Sequence, residues 1–466
     1  MRGLDRGRRR IVLGVVVTSL LASTAGASTI YVAPGGTGSG TSGAPFGLIQ
    51  DALQAAQPGD TIVVRDGTYG ESLHSVRAGA PAAPIVLKAE QKGGALVHTS
   101  AGTVLRIDHA DLQVEGLVLD GDYGNFDAVI VSDAAARLVI RDAEVRRATK
   151  DCIDIRNPSD LLIERSAIHH CLNAAGGRTD AHGIVAGAVH NLTIRDTDIY
   201  AFSGDAVQVD PGRTAPGWDN VLIERCRLWL EPLATAENGF PPGTVPGENA
   251  VDTKTNASAP RANLTVRDTE AWGYRNGLIT NMAAFNLKEG VNAVLDRVTV
   301  WNSEIAFRLR GPGAGAIGAW VRVQNAVTHD VAFGVRYEDN IESVKIYNST
   351  FGAGVGRAFL AASSTATGLD VRNVLFEGGT KPAEASAPSN LVVSSSAFVS
   401  SASRDYHLVA GGAAIDHGEA VAGVASDRDG IVRPQGTAID VGAYEYCVSC
   451  APGSLTAPRN VRVIVP

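Results

Sequence analysis

The sequence predicts an all-β solenoid, a parallel β-helix opened by a short capping helix, and three observations predict it. A cassette recurs at Asp127-Ala-Val-Ile-Val, Asp151-Cys-Ile-Asp-Ile, His182-Gly-Ile-Val-Ala, Asp205-Ala-Val-Gln-Val, Asn249-Ala-Val-Asp-Thr and Asn276-Gly-Leu-Ile-Thr. Its third and fifth residues are mostly apolar and its fourth faces the other way, which is the period-two pattern of a strand. A second signature, a Leu-x-Ile-like pair followed by a polar tip, recurs in step at Leu138, Leu161, Leu192, Val221, Leu264, Val321, Val344 and Leu369. Its units run from 23 residues, between Leu138 and Leu161, to 43 between Val221 and Leu264, as a solenoid with loops inserted on one side would give. Finally, the repeats are rich in Val, Ile, Thr, Gly and Asn, without the spacing of helical repeats or the Leu-x-x-Leu-x-Leu-x-x-Asn of leucine-rich ones.

The chain begins with an Arg-rich segment, an apolar run over Ile11–Ala22 and the small residues Ala25-Gly-Ala27, the order of a secretory signal peptide covering 1–27. The Arg8–Arg10 triplet also matches twin-arginine export, against which a plain basic leader is preferred. The apolar run is too short to span a bilayer. The protein is therefore expected to be secreted, periplasmic or held at the cell surface. Losing the leader removes five Arg and one Asp and moves the formal charge from −8 to −12. Nucleic acid is excluded as a partner on that charge, and an anionic polymer requires a local basic stripe or a bridging cation. Five cysteines suit an exported chain with one or two disulfides, and Cys447-x-x-Cys450 reads as a terminal disulfide ahead of a metal or redox motif.

In chain order, Ile30-Tyr-Val reads as a strand. Phe46–Gln57 has helical apolar spacing and stops at Pro58-Gly59, so it is a helix suited to cover the open end of the array. Thr61-Ile-Val-Val64 and Pro84-Ile-Val-Leu87 are strands. The coils follow to about residue 400, a small module occupies 401–450, and 451–466 is a tail. The column Asp127, Asp151, Asp205, Asn249 and Asn276 falls at a bend, where such side chains satisfy backbone groups.

The run Ile30-Tyr-Val-Ala-Pro, with Phe46–Gln57 and Pro58-Gly-Asp-Thr-Ile-Val-Val-Arg-Asp-Gly-Thr-Tyr69, resembles bacterial pectate-lyase-like right-handed parallel β-helix proteins. The resemblance covers about residues 28–400 and implies the fold more than the substrate. Asp427–Pro434 with Ile439–Glu445 resembles the choice-of-anchor module that closes many exported β-helix proteins.

If cassette positions three and five point inward, positions four and six build an outward stripe. It holds Asp154 and Arg156, Gln208 and Asp210, Asp252 and Lys254, Arg308 and Arg310, then Arg336 and Glu338. The inserts at Ala174–Asp180, Pro211–Trp218 and Glu231–Pro246 flank it. They bring Trp218, Trp229, Phe240, Trp272 and Tyr274 near enough to stack on sugar rings, with packing under the loops as the alternative. Asp205, Asp210, Glu248 and Asp252 come from two consecutive coils and can converge into an oxygen-rich calcium site, against the alternative of bend and surface carboxylates.

Cleavage of a uronate polymer by β-elimination needs a cation or Arg on the carboxylate and a base for the C5 proton. Lys254, one of seven lysines, is the candidate base, and Arg308 or Arg310 is expected to help lower its pKa. A surface salt bridge of Lys254 to Asp252 or Glu248 is the alternative. Asp154, Arg156, Gln208 and Arg336 are the candidate substrate contacts. Glu248-Asn-Ala-Val-Asp252 is similar to the calcium-binding coil of family nine polysaccharide lyases. That family's lysine base lies one coil later, at Ile279 here, so Lys254 is assigned from its place in the stripe. His169, His170 and His182 read as surface or turn residues.

The leading expectation is a monomeric, calcium-assisted lyase of an acidic polysaccharide. A glycoside hydrolase using Asp154, Asp210 or Asp252, and a solenoid that only binds glycan, stand as alternatives.

Overall fold

The computed structural model describes residues 26–212, 217–256, 259–311, 317–338, 341–362 and 368–449. Residues 1–25 of the expected signal peptide, Cys450 and residues 451–466 lie outside the described residues. Three long parallel sheets, of thirteen, eleven and thirteen described strands, run the length of a right-handed parallel β-helix. One middle coil shows the plan. Ile153–Ile155 belongs to the second sheet, Ser159–Glu164 to the first and Ala167–Cys171 to the third. The next coil repeats it at Ile184–Ala186, His190–Arg195 and Asp198–Phe202.

Stacking in register turns the apolar cassette positions into continuous inner columns. Ile153, Ile184, Val207, Val251, Phe285, Phe307, Val335 and Phe359 follow one another up the second sheet. All but the last are at most 1% exposed, and the Phe285 and Phe307 rings lie 5.8 Å apart, nearly parallel. The helix at Ile49–Ala55 buries Ile49, Ala52 and Leu53 against the first strands, and Glu71 accepts from the backbone N–H groups of Ile49 and Gln50. It is shorter than Phe46–Gln57 because Leu48 is extended.

The polar tips of the second signature sit at the tight bend between first and third sheets. Asp142, Arg165, Asp196, Arg225, Asp268, Arg297, Asn325, Asn348 and Asn373 all have φ between 44° and 56°. A left-handed conformation costs a non-glycine residue about 1 kcal/mol. Alternating charge offsets part of that, since Arg165 pairs with Asp142, Arg225 with Asp196 and Arg297 with Asp268 at 2.6–2.9 Å. The other bend carries the expected Asp/Asn column. Asp151 accepts from the His182 N–H, Asp205 from that of Asn249, and Asn249 from that of Ala283. Asn276 is not part of it.

Asn276-Gly-Leu-Ile-Thr lies in a loop between Glu270–Trp272 and Ala283–Leu287. The strand stacked on Asn249–Thr253 is Ala283–Leu287. This coil escapes the pattern because Ala283 replaces the polar first residue of the cassette.

Cys152 and Cys171 form a disulfide within one coil. Cys447 is disulfide-bonded too, whereas Cys226 is a free, fully buried thiol. Toward the C-terminus a second apolar cluster joins Phe398, Tyr406, Leu408, Val441 and Ala443 to Val327 and Leu375 of the third sheet. In the same segment the Arg433 and Glu445 side chains, both fully buried, pair at 2.7 Å. No described helix is long and apolar enough to cross a membrane.

Candidate functional site

The outer face of the second sheet carries the expected stripe, in an order fixed by strand register. Asp154, Val185, Gln208, Asp252, Asn286, Arg308 and Arg336 occupy one column, each about 4.8 Å from the next. The structure brings Gln208, Asp210, Asp252, Lys254, Arg308, Arg310 and Arg336 onto one continuous face. Asp154 lies at the far end of the same column, with Arg156 beside it. Val185 separates them from Gln208, and they pair with each other at 2.5 Å.

At the acidic end, the four carboxylates chosen for calcium each have protein partners. Asp205 accepts from Asn249 and Gln208 at 2.7 and 2.8 Å. Asp252 accepts from Asn286 at 2.8 Å and lies 2.7 Å from Lys288 Nζ. Asp210 is paired with Lys254, and Glu248 with Arg178 from the first insert. Among the described residues no three His, Cys, Asp or Glu side chains form a metal-binding group. As placed, the four do not make a single donor set for calcium.

Burial leaves Asp205 and Asp252 expensive to ionise. Desolvation first, and the charge of Glu248 second, push Asp205 up to about 6. Desolvation and Asp205 push Asp252 up to about 7 in spite of Lys288. Asn286 Oδ1, between Asp252 and Arg308, is buried without a hydrogen-bond partner among the described residues.

Lys254 lies at the accessible edge, its side chain 39% exposed. Its Nζ donates to Asp210 Oδ2 at 2.9 Å and Gln208 Oε1 at 3.2 Å. The salt-bridge partner is thus Asp210 instead of Asp252 or Glu248. The expected lowering of its pKa is not found. Burial works in that direction, but the bond to Asp210 and the charges of Asp210, Asp252 and Asp205 outweigh it and hold the lysine above its ordinary value.

At the basic end three guanidinium groups share one carboxylate. Arg308, Arg310 and Arg336 lie 3.4, 3.1 and 3.4 Å from Glu338. Arg336 also donates to Asn281 Oδ1 at 2.8 Å, and Arg308 to the Asn281 carbonyl at 3.3 Å, which pins the 273–282 loop beside the groove. Desolvation, with Arg310 and Arg336 nearby, moves Arg308 below its ordinary value despite Glu338. Among the described residues three cations thus face one anion, an excess of positive charge at this end.

The aromatic residues do not form a sugar platform. Trp218, Phe240 and Tyr274 are at most 2% exposed. Trp229 and Trp272 stack on each other at 5.0 Å within a ladder on the third sheet, so their faces are covered. His182 belongs to the bend, its Nδ1 accepting from the Asp205 N–H, while His169 and His170 lie on the third sheet.

Sequence reasoning missed Lys288, Asn286 and Arg178. The residue one coil beyond Asp252 in its column is Asn286 and not Ile279. The next outward position holds Lys288. Its signal was the Phe-Asn-Leu-Lys of residues 285–288, which repeats the Val-Asp-Thr-Lys of 251–254.

No protein-family model and no curated protein matches the chain. Solved structures do resemble it. A mannuronic acid specific family 6 polysaccharide lyase from human gut microbiota is 14% identical, with a TM-score of 0.51, covering 79% of this chain and 83% of its own. The pectate lyase Pel9A is 16% identical, with a TM-score of 0.47, covering 91% and 97%. An alginate lyase from Paenibacillus sp. is 17% identical, with a TM-score of 0.43, covering 75% and 98%. Similarity at this level is similarity of fold, that of a pectate-lyase-like β-helix.

Proposed function

We propose that this is an exported polysaccharide lyase that cleaves an acidic, uronate-containing glycan by β-elimination across the second-sheet groove. The observation that carries the reading is the Arg308, Arg310 and Arg336 group, with Glu338 as its sole carboxylate partner among the described residues, in line with Lys254. A sugar carboxylate balances that excess positive charge, and guanidinium groups beside it stabilise the negative charge that builds up when the C5 proton leaves. Lys254, as the neutral amine, takes that proton. The electron pair forms the C4–C5 double bond, and the C4–O bond breaks with a proton from solvent. Binding must first draw Lys254 away from Asp210. The lyase with a mannuronate substrate that shares the fold acts on the same class of polymer.

A second reading has its own support. Asp252, held near neutrality, and Asp205 are carboxyl groups able to trade protons at physiological pH, as a glycoside hydrolase requires. Pectate and alginate incubated with and without chelator separate these readings. An unsaturated product that Lys254→Ala abolishes supports the lyase, saturated reducing ends lost with Asp252→Asn support the hydrolase, and loss on chelation shows that a divalent cation takes part.

A further inference from the structure

A second concave site lies one sheet round from the groove, where the C-terminal segment leans on the third sheet. Glu270, Trp301 and His329 form one wall of a cleft of about 380 Å³, and Arg404, Arg428 and Tyr444 the other. Trp301 closes the coil that carries Asn286 and Lys288, and His329 the coil that carries Arg308, so the two sites stand at nearly the same height on adjoining faces.

The polar groups of the cleft are incompletely used. Arg428 donates to the Val298 carbonyl and the Thr299 hydroxyl, both neutral. Among the described residues neither Arg404 nor Arg428 is paired with a carboxylate. His329 is 6% exposed, and its Nδ1 has no hydrogen-bond partner among the described residues. Burial, with Arg404 nearby, keeps that ring neutral by lowering its pKa to about 4. An unpaired buried polar atom is costly, and a ligand group that bonds it recovers that cost.

We infer that this cleft is a second binding site for a carboxylated sugar residue, separate from the groove where cleavage is proposed. The chemistry selects that ligand from other anions. Two guanidinium groups fit a carboxylate, but Glu270 in the same wall repels a dianion and needs hydroxyl donors. Sulfate brings the charge without those donors and as a dianion, and phosphate is in large part a dianion at neutral pH, whereas a sugar acid brings one negative charge together with several hydroxyls. The edge of Trp301 and the ring of Tyr444 supply apolar surface for its C–H groups. The inference takes from the proposed function only the ligand class.

The test uses the full chain carrying Lys254→Ala, so that polymer stays intact, titrated calorimetrically with hexamers of galacturonate and of mannuronate and with neutral xylohexaose. Two uronate-binding events are expected. Adding Arg404→Glu weakens one at least tenfold, adding Arg336→Ala weakens the other, and thermal unfolding confirms that the exposed Arg404 change leaves the fold intact. Binding that responds to Arg336→Ala alone overturns this inference and leaves the groove standing. Binding that responds to Arg404→Glu alone supports it and removes the groove. No uronate binding, or equal binding of xylohexaose at the cleft, overturns it.

Discussion

Lys254 and Asp210, on neighbouring coils of the second sheet, form a 2.9 Å ion pair at the edge of the groove. A free groove therefore holds its accessible lysine in the charged form. In the proposed lyase that contact sets the pH at which cleavage can occur.

The active form of a lysine base is the neutral amine, populated above its pKa. Lys254 sits above its ordinary value of 10.5, so cleavage should climb with pH through the alkaline range. Asp210→Asn removes the main group raising it and should shift the pH–rate curve toward neutrality. A rate already level near pH 7 would move the proton transfer to Asp252.

Arg336→Ala and Arg308→Ala should each weaken uronate oligomer binding at least tenfold, about 1.4 kcal/mol, and reduce its salt dependence. Direct titration at two salt concentrations checks this. Equal weakening of a neutral oligomer would show that the change is not one of charge recognition.

The third-sheet ladder, in which His169, Tyr200, Trp229, Trp272 and Trp301 stack at 4.4–5.0 Å, is a packing device. Trp272→Ala should cost about 3 kcal/mol of stability and leave oligosaccharide affinity in the groove unchanged. Chemical denaturation and titration read the two separately. Lost affinity with unchanged stability would restore the residue as a sugar contact.

Stability should fall between about pH 6.5 and 9. His407, bonded to Asp429 and Asp405, is raised to about 9, so its contribution is full below the ordinary histidine value of 6.5 and lost as pH rises through 9. Asp252, raised from 3.8 to about 7, adds a loss in the same direction that runs through the acid range and is complete just above pH 7. Melting temperature against pH should show the decline, and His407→Gln should flatten its upper part. A rising curve would contradict both assignments.

The fold was legible because its strongest signals are local and repeated. Apolar alternation, bend-forming Asp and Asn, and left-handed tips all recur with the coil. The stripe followed from the period-two alternation, even in the strands of Arg308 and Arg336, where Ile305 and Phe333 hold the cassette's first position. It failed at Ala283, where Asn276-Gly mimics the cassette inside a loop and hides Lys288 behind it. The ladder was written in the spacings of Tyr200, Trp229, Trp272 and Trp301, which are 29, 43 and 29 residues, matching the coil lengths. Arg178 had no such signal, since inserts carry no period. Partner choice was also invisible, because whether Asp210 faces a cation or a metal depends on side-chain directions that spacing does not encode.

The most direct measurement follows the near-ultraviolet absorbance of an unsaturated uronate while the mature chain from Ser28 acts on pectate and on alginate from pH 7 to 11. The account predicts a rise that steepens with pH and vanishes in Lys254→Ala. No absorbance change on either polymer at any pH, with or without calcium, would contradict it.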